Sequence, residues 1–299
     1  MNKTGHQFCI SGVVMRNKII LSILLFFAFA AQLSAESQTE ILFLSGTDSD
    51  HPEKWDFMVT GGRNSGDWSS IPVPSCWELQ GFGSFNYGHD EDKSTEKGKY
   101  RHTFTIPESW QGRKIELVFE GVMTDTAATI NGQSAGPVHQ GGFYRFEYDI
   151  TDLIRIGENN LLEVLVSKVS ENESINAAER TGDYWVFGGI YRPVYLRSVP
   201  REHIAHTAID ATADGSFAID VHLKNISGAD MLSARIVNRA GLPVSGEFYA
   251  NLEPGTTRAT LNTRVAGQTN WTAETPELYY ADIRLRDGEK DIHTIRERF

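Results

Sequence analysis

From residue 100 onward, apolar and polar positions alternate with a period of two. Tyr100, His102, Phe104 and Ile106 share one parity, and Arg101, Thr103 and Thr105 the other. That is the pattern of a strand with one buried face. The same alternation predicts strands over 115–120, 127–130, 144–150 and 162–166, with Asn131-Gly132 supplying the positive φ angles of a two-residue hairpin turn. Between 167 and 181 the pattern stops and polar residues dominate, which predicts a loop over one end of the fold. A strand-like stretch returns at 184–187, a turn follows at Gly188-Gly189, and 191–196 reads as the next strand. After a hinge at Pro200-Arg201-Glu202, seven short strands follow near 204–210, 216–224, 231–238, 246–252, 257–265, 278–285 and 292–299. Their number and spacing predict an immunoglobulin-like sandwich without the antibody-type disulfide. No amphipathic helix of ordinary length breaks the series, so the chain reads as all-β, two sandwiches in tandem.

Composition sharpens this picture. With 299 residues, 40% hydrophobic and 22% charged, the chain is globular and long enough for two domains. Its net charge of -11 opposes nucleic-acid binding, which needs clustered Lys and Arg. The N-terminus departs from the rest: Met15-Arg16-Asn17-Lys18 is basic, 19–31 is apolar except for Ser22, and Leu33-Ser34-Ala35 ends in a small residue. The run falls short of the roughly 20 residues a membrane span requires, so residues 1–35 read as a cleaved signal peptide, with an uncleaved anchor as the alternative. Met15 is a candidate start beside Met1. Domains are therefore expected at 36–200 and 201–299, in a periplasmic or secreted protein with no membrane attachment after cleavage. Cys9 falls in the removed segment, leaving Cys76 alone and no internal disulfide. Cys76 reads as a buried thiol rather than a nucleophile, since no His neighbours it, and no CxxC or HExxH suggests zinc.

Several segments together resemble family 2 glycoside hydrolases, the group of β-galactosidases, β-glucuronidases and β-mannosidases. They are Val73-Pro74-Ser75-Cys76-Trp77-Glu78-Leu79-Gln80-Gly81-Phe82-Gly83, Tyr100-Arg101-His102-Thr103-Phe104, Trp110-Gln111-Gly112, Phe119-Glu120-Gly121-Val122 and Ile130-Asn131-Gly132. Most specific is Asp183-Tyr184-Trp185-Val186-Phe187-Gly188-Gly189-Ile190-Tyr191-Arg192-Pro193-Val194-Tyr195-Leu196. Near the end, Trp271-Thr272-Ala273-Glu274-Thr275-Pro276-Glu277-Leu278-Tyr279 and Ile295-Arg296-Glu297-Arg298-Phe299 resemble the segments that close the family's second domain.

The resemblance implies a jelly-roll, galactose-binding-domain-like sandwich, then the immunoglobulin-like one with its last strand truncated, and a C-terminal catalytic barrel missing from this chain. Together with the signal peptide, it implies the N-terminal region of an exported, retaining, β-galactosidase-like exo-β-glycosidase that hydrolyses terminal β-linked sugars in carbohydrate catabolism, with this part contributing loops to the sugar pocket. Both catalytic carboxylates are then expected beyond Phe299, and no residue of this chain takes a catalytic role. Asp183 occupies the family position that touches the terminal sugar or a metal beside it, so a Na+ or Mg2+ near the pocket of the full-length enzyme is compatible, though no metal ligands are assigned. The alternative for Asp183 is a loop cap. Trp185 either stacks on a sugar face or lies buried beneath the loop. His89 stands where the galactosidases of the family carry Asn, and Asn86 or Asp90 can serve in its place with a small shift. The expected partner is a β-glycoside or oligosaccharide, with homo-oligomers admitted. A stand-alone carbohydrate-binding or structural sandwich is the competing reading. The signal predicts that exported protein begins near Glu36, and N-terminal sequencing checks this; a chain still starting at Met1 or Met15 contradicts it.

Overall fold

The computed structural model describes residues 37–299 and is all-β apart from short helical turns; the predicted signal peptide lies outside the described residues. Two compact units divide between Arg201 and Glu202. Ser37 and Gln38, expected from the sequence to belong to the first domain, join the second, where the Ser37 carbonyl accepts from Thr294 N at 2.8 Å. No helix among the described residues is long and apolar enough to cross a membrane.

The first unit contains strands β1 (Glu40–Phe43), β2 (Glu53–Val59), β3 (Ser69–Val73), β4 (Asn86–Tyr87), β5 (Lys97–Thr105), β6 (Lys114–Phe119), β7 (Asp125–Ile130), β8 (Gln133–Ser134), β9 (Phe146–Asp149), β10 (Asn159–Ser167), β11 (Trp185–Val186) and β12 (Val194–Val199). A four-stranded sheet, β1-β12-β6-β9, faces a six-stranded one, β3-β2-β5-β10-β7-β8, and β11 and β4 form a separate two-stranded ribbon. Their period-two residues fill the space between the sheets. Ile115, Leu117 and Phe119 of β6, and Leu162, Val164 and Val166 of β10, are all buried, together with Phe104 and Ile106. Asn131 and Gly132 have positive φ, as the hairpin between β7 and β8 requires.

Two of the differences from the predicted elements have a clear local cause. The strand expected at 191–196 begins at Val194, because Pro193 has no amide to give a ladder. The loop expected over 167–181 contains one short helix, α1 (Glu173–Glu179), whose first turn is capped by Asn172 accepting from Ser174 N at 3.0 Å.

The second unit has all seven strands the sequence predicts: β13 (His203–Ala211), β14 (Ser216–Lys224), β15 (Met231–Asn238), β16 (Phe248–Asn251), β17 (Arg258–Arg264), β18 (Tyr279–Asp287) and β19 (Lys290–Arg298). They form a three-stranded sheet, β13-β14-β17, and a four-stranded one, β16-β15-β18-β19. Ile219, Val221 and Leu223 of β14 pack into one cluster with Ile236, Ile283 and Leu285 from the other sheet. The strand expected to be truncated pairs with β18 as far as Arg298, and Phe299 exchanges both backbone hydrogen bonds with Tyr279.

At the head of this unit the Glu202 carboxylate accepts from Ser227 Oγ at 2.6 Å and from the amides of Ser227, Gly228 and Ala229 at 3.1, 3.0 and 2.9 Å. Partial burial pushes its pKa up, but the Ser227 hydroxyl and these amides outweigh it and bring the value from 4.5 down to about 2. A carboxyl with a depressed folded pKa stabilises the fold above its unfolded value and loses that contribution as pH falls through the folded one. Stability of the wild type should therefore drop between about pH 5 and about pH 2 more steeply than that of Glu202→Gln, measured as denaturation midpoint against pH. Parallel profiles would show that Glu202 has no part in the acid response.

Candidate functional site

In the ribbon β4–β11, Trp185 pairs with Tyr87 and Val186 with Asn86. Side chains alternate along a strand, and residues paired directly across two strands point to the same face. Trp185 and Tyr87 therefore lie on one face, and Phe85, His89, Phe187 and Asp183, which flank the paired residues, reach them or each other through their own contacts. The rings bear this out: Trp185 meets Tyr87 at 5.4 Å and Phe85 at 5.8 Å, both edge-on, and Tyr87 meets His89 at 6.0 Å. The Tyr87 hydroxyl donates to the Asp183 carboxylate, and this bond raises the phenol pKa by favouring its protonated form. Asp183, Trp185, His89, Phe85 and Tyr184 are exposed, with Trp185 at 54%.

Three of the four residues named from sequence, Asp183, Trp185 and His89, thus surround Tyr87. Asn86 turns the other way. It is 8% exposed, its Oδ1 accepts from Ser94 N at 3.1 Å and its Nδ2 donates to Asp92 O at 3.4 Å, so its amide holds the 92–94 segment. Trp185 is not buried beneath the loop. Asp90 accepts from Tyr87 N at 2.7 Å and fixes the turn after β4. Sequence reasoning misses Tyr87 as a contact; the signal that could have found it is its parity with Phe85 and His89.

The two loops meet where neither carries a side chain: a Cβ on Gly88 would collide with the carbonyl oxygen of Gly182. The Gly88 amide donates to Tyr184 O at 2.8 Å. Beneath the ribbon lies a buried ionic cluster. Lys168, the residue after β10, sits 2.8 Å from Glu78 Oε1 and 3.4 Å from Glu96 Oε1, with all three side chains essentially sealed from water. Lys168 also donates to Ser84 O. Glu96 accepts from Trp77 Nε1 at 3.1 Å, Ser84 N at 2.9 Å and Ser94 Oγ at 2.7 Å, and Glu78 accepts from Gly188 N at 3.1 Å. Arg180 completes the cluster, donating to Lys168 O at 2.7 Å and to Phe187 O.

Burial dominates at Glu78 and pushes its carboxyl up despite Lys168 and Gly188. At Glu96 burial pushes in the same direction, but the Ser84 amide, the Ser94 hydroxyl and Lys168 overcome it and the carboxyl is held low. Burial, with Glu78 alongside, pushes the Cys76 thiol up to about 11, so near neutral pH it is a protonated thiol and no nucleophile.

Chemically, the ribbon offers one exposed carboxylate flanked by aromatic rings, which can accept hydroxyl hydrogens and stack on an apolar face. Among the described residues no group of three or more His, Cys, Asp or Glu side chains is placed to hold a metal ion. Asp183 alone does not make a cation site.

The family profile described as glycosyl hydrolases family 2, sugar binding domain, matches residues 48–200. A β-galactosidase of Thermoanaerobacter pseudethanolicus is 30% identical over 193 residues, which are 62% of this chain and 25% of that protein. A β-galactosidase of Priestia megaterium is 27% identical over 251 residues, 75% of this chain and 24% of its own length. The chain thus spans about a quarter of these relatives. The solved structure of Bifidobacterium dentium β-glucuronidase complexed with coumarin-3-O-glucuronide matches with a TM-score of 0.69 at 22% identity, covering 87% of this chain and 47% of that one. At that identity the likeness concerns the fold.

The ionic cluster generates a stability prediction. Lys168→Met leaves Glu78 and Glu96 buried without their shared cation, and breaking a buried pair in this way costs about 3–5 kcal/mol. Urea denaturation of the two proteins measures the loss. A change no larger than that from removing Arg101 of the exposed Arg101–Glu163 pair would mean that the cluster carries little.

Proposed function

Because the chain belongs to family 2 of the glycosyl hydrolases, we propose that it is the N-terminal region of an exported, retaining exo-β-glycosidase and that its ribbon forms part of the wall of the sugar pocket. The observation that carries this reading is the juxtaposition of Asp183, held by Tyr87, with the exposed ring of Trp185. A carboxylate whose second oxygen stays free can accept from a sugar hydroxyl, and an indole beside it covers the apolar face of the same ring. The hydrogen bond from Tyr87 fixes the carboxylate before substrate arrives, so less rotamer freedom is lost on binding.

Hydrolysis with retention needs an acid/base carboxyl and a nucleophilic carboxylate about 5 Å apart across the glycosidic bond. In this reading both belong to a catalytic barrel outside residues 37–299, and the names and lengths of the relatives support that arrangement. The contribution of the ribbon is binding energy remote from the reacting carbon, which lowers the barrier when the contact strengthens in the transition state. His89 cannot copy the paired donor and acceptor of the amide that the family's galactosidases carry there, so no galactose-specific contact is proposed at this position. Export rests on the 1–35 segment alone.

In the complete enzyme, Asp183→Ala is expected to lower kcat/KM roughly ten- to a hundred-fold, the worth of a charged hydrogen bond of about 1.5–3 kcal/mol. Thermal stability should change little, since the side chain is exposed. Kinetics within about twofold of wild type on a folded variant would make Asp183 a loop residue only. The chain of residues 36–299 by itself should hydrolyse no aryl β-glycoside; turnover abolished by changing an acidic pair within it would relocate the active site here.

A further inference from the structure

The second unit contains a cavity of about 300 Å3 that the proposed function does not use. Its floor is apolar, built from Phe217, Ile236, Val265 and Phe299. The rings of Phe217 and Phe299 lie 4.8 Å apart, and Tyr279 closes the side of Phe299 at 6.1 Å. The rim is the segment 268–277, and it is held in place. Gln268 donates to Ala213 O at 2.8 Å, Thr269 N donates to Tyr279 Oη at 2.9 Å, and Thr272 and Thr275 bond each other through their hydroxyls at 2.9 Å.

On this fixed rim stand Asn270, Trp271 and Glu277, whose side chains make no hydrogen bond to another described residue. Trp271 is 62% exposed and stacks on no other ring among the described residues. An exposed Trp by itself says little, since apolar side chains are common on protein surfaces. Here the indole borders a concave site together with an amide and a carboxylate, and none of the three side chains is engaged by another among the described residues.

The lining selects the ligand. An indole face suits an apolar face of C–H groups, Asn270 offers paired donor and acceptor, and Glu277 accepts from hydroxyls. No Lys, Arg or His lines the cavity, and Glu277 repels anions, so phosphates, sulfated sugars and uronic acids are disfavoured. A volume at the small end of the usual range of about 300–1,000 Å3 admits one ring rather than a chain of them. We infer that this cavity is a second carbohydrate subsite, taking a single neutral pyranose residue of a glycan with Trp271 stacked on the ring and Asn270 and Glu277 on its hydroxyls.

This subsite goes beyond the reading of the ribbon and shares no residue with it. The test is a titration of the full chain with methyl β-D-glucopyranoside and methyl β-D-galactopyranoside, with glucuronate as the anionic control, following the indole N–H of Trp271 by 1H–15N NMR. The expected result is a saturable shift of that signal with at least one neutral glycoside and binding about tenfold weaker or worse for glucuronate. Trp271→Ala and Glu277→Gln should each weaken calorimetric affinity by about tenfold or more, whereas Arg101→Ala, which removes one member of the exposed Arg101–Glu163 pair, should leave it unchanged. Trp271 is exposed, so its removal leaves the fold intact. No shift at Trp271 with either neutral glycoside, or unchanged affinity in Trp271→Ala, overturns the inference. Affinity lost in Asp183→Ala but kept in Trp271→Ala also overturns it and leaves the reading of the ribbon standing.

Discussion

Lys168, buried between the carboxylates of Glu78 and Glu96, is the contact on which the loop end of the first unit depends. The segments around 78–96 and 180–190 have few ladder bonds of their own, and buried backbone groups must find partners somewhere. The charged side chains supply them: Ser84 N, Ser84 O, Gly188 N, Lys168 O and Phe187 O all end on a member of the cluster. Two carboxylates and two cations, Lys168 and Arg180, keep the buried charge balanced. Apolar residues of equal volume can match a buried ion pair in stability. They cannot satisfy five backbone groups, so the ions here serve chiefly to specify where the loops go.

The ribbon β4–β11 follows from that constraint. Two-residue strands have too little ladder to hold themselves, and an isolated two-stranded element is marginal in water. What positions this one is the anchored chain on either side and the glycine contact of Gly88 with Gly182. Once the pairing of Trp185 with Tyr87 is set, their two rings share a face. Asp183 and His89 join them through Tyr87, and Phe85 through Trp185, while Asn86 and Val186 are turned inward to hold the loop below. A single strand pair thus separates the residues that can meet a ligand from those that support them.

The second unit is organised differently. Its strands are long, their registers extend over most of their length, and its core of Ile, Val and Leu needs no buried ion to define it. The irregular part is the segment between β17 and β18, where Thr269 and Gln268 tie the chain down and leave Asn270, Trp271 and Glu277 outward. In both units chemistry-bearing side chains sit on short loops over a rigid sandwich, the usual division between scaffold and site.

Much of the architecture is legible in the order of residues. The alternation at 100–106, 115–120 and 162–166 corresponds to β5, β6 and β10, and the seven strands expected after the hinge each fall near their observed places. Strand alternation and the Asn131-Gly132 turn are local properties, decided by covalent geometry and by neighbours a few residues away. Asp183 and Trp185 are likewise neighbours by chain connectivity, whatever lies opposite. Other features are invisible in the chain because they are set by contacts between remote segments. Lys168 reads as one charged residue after a strand, and only folding brings it to Glu96, 72 residues away. Asn86 and His89 look interchangeable until folding buries Asn86 against the 92–94 segment and leaves His89 exposed beside Tyr87. Local periodicity is written in the sequence, whereas register and burial depend on which distant surfaces exclude water together, and that is decided in the tertiary fold alone.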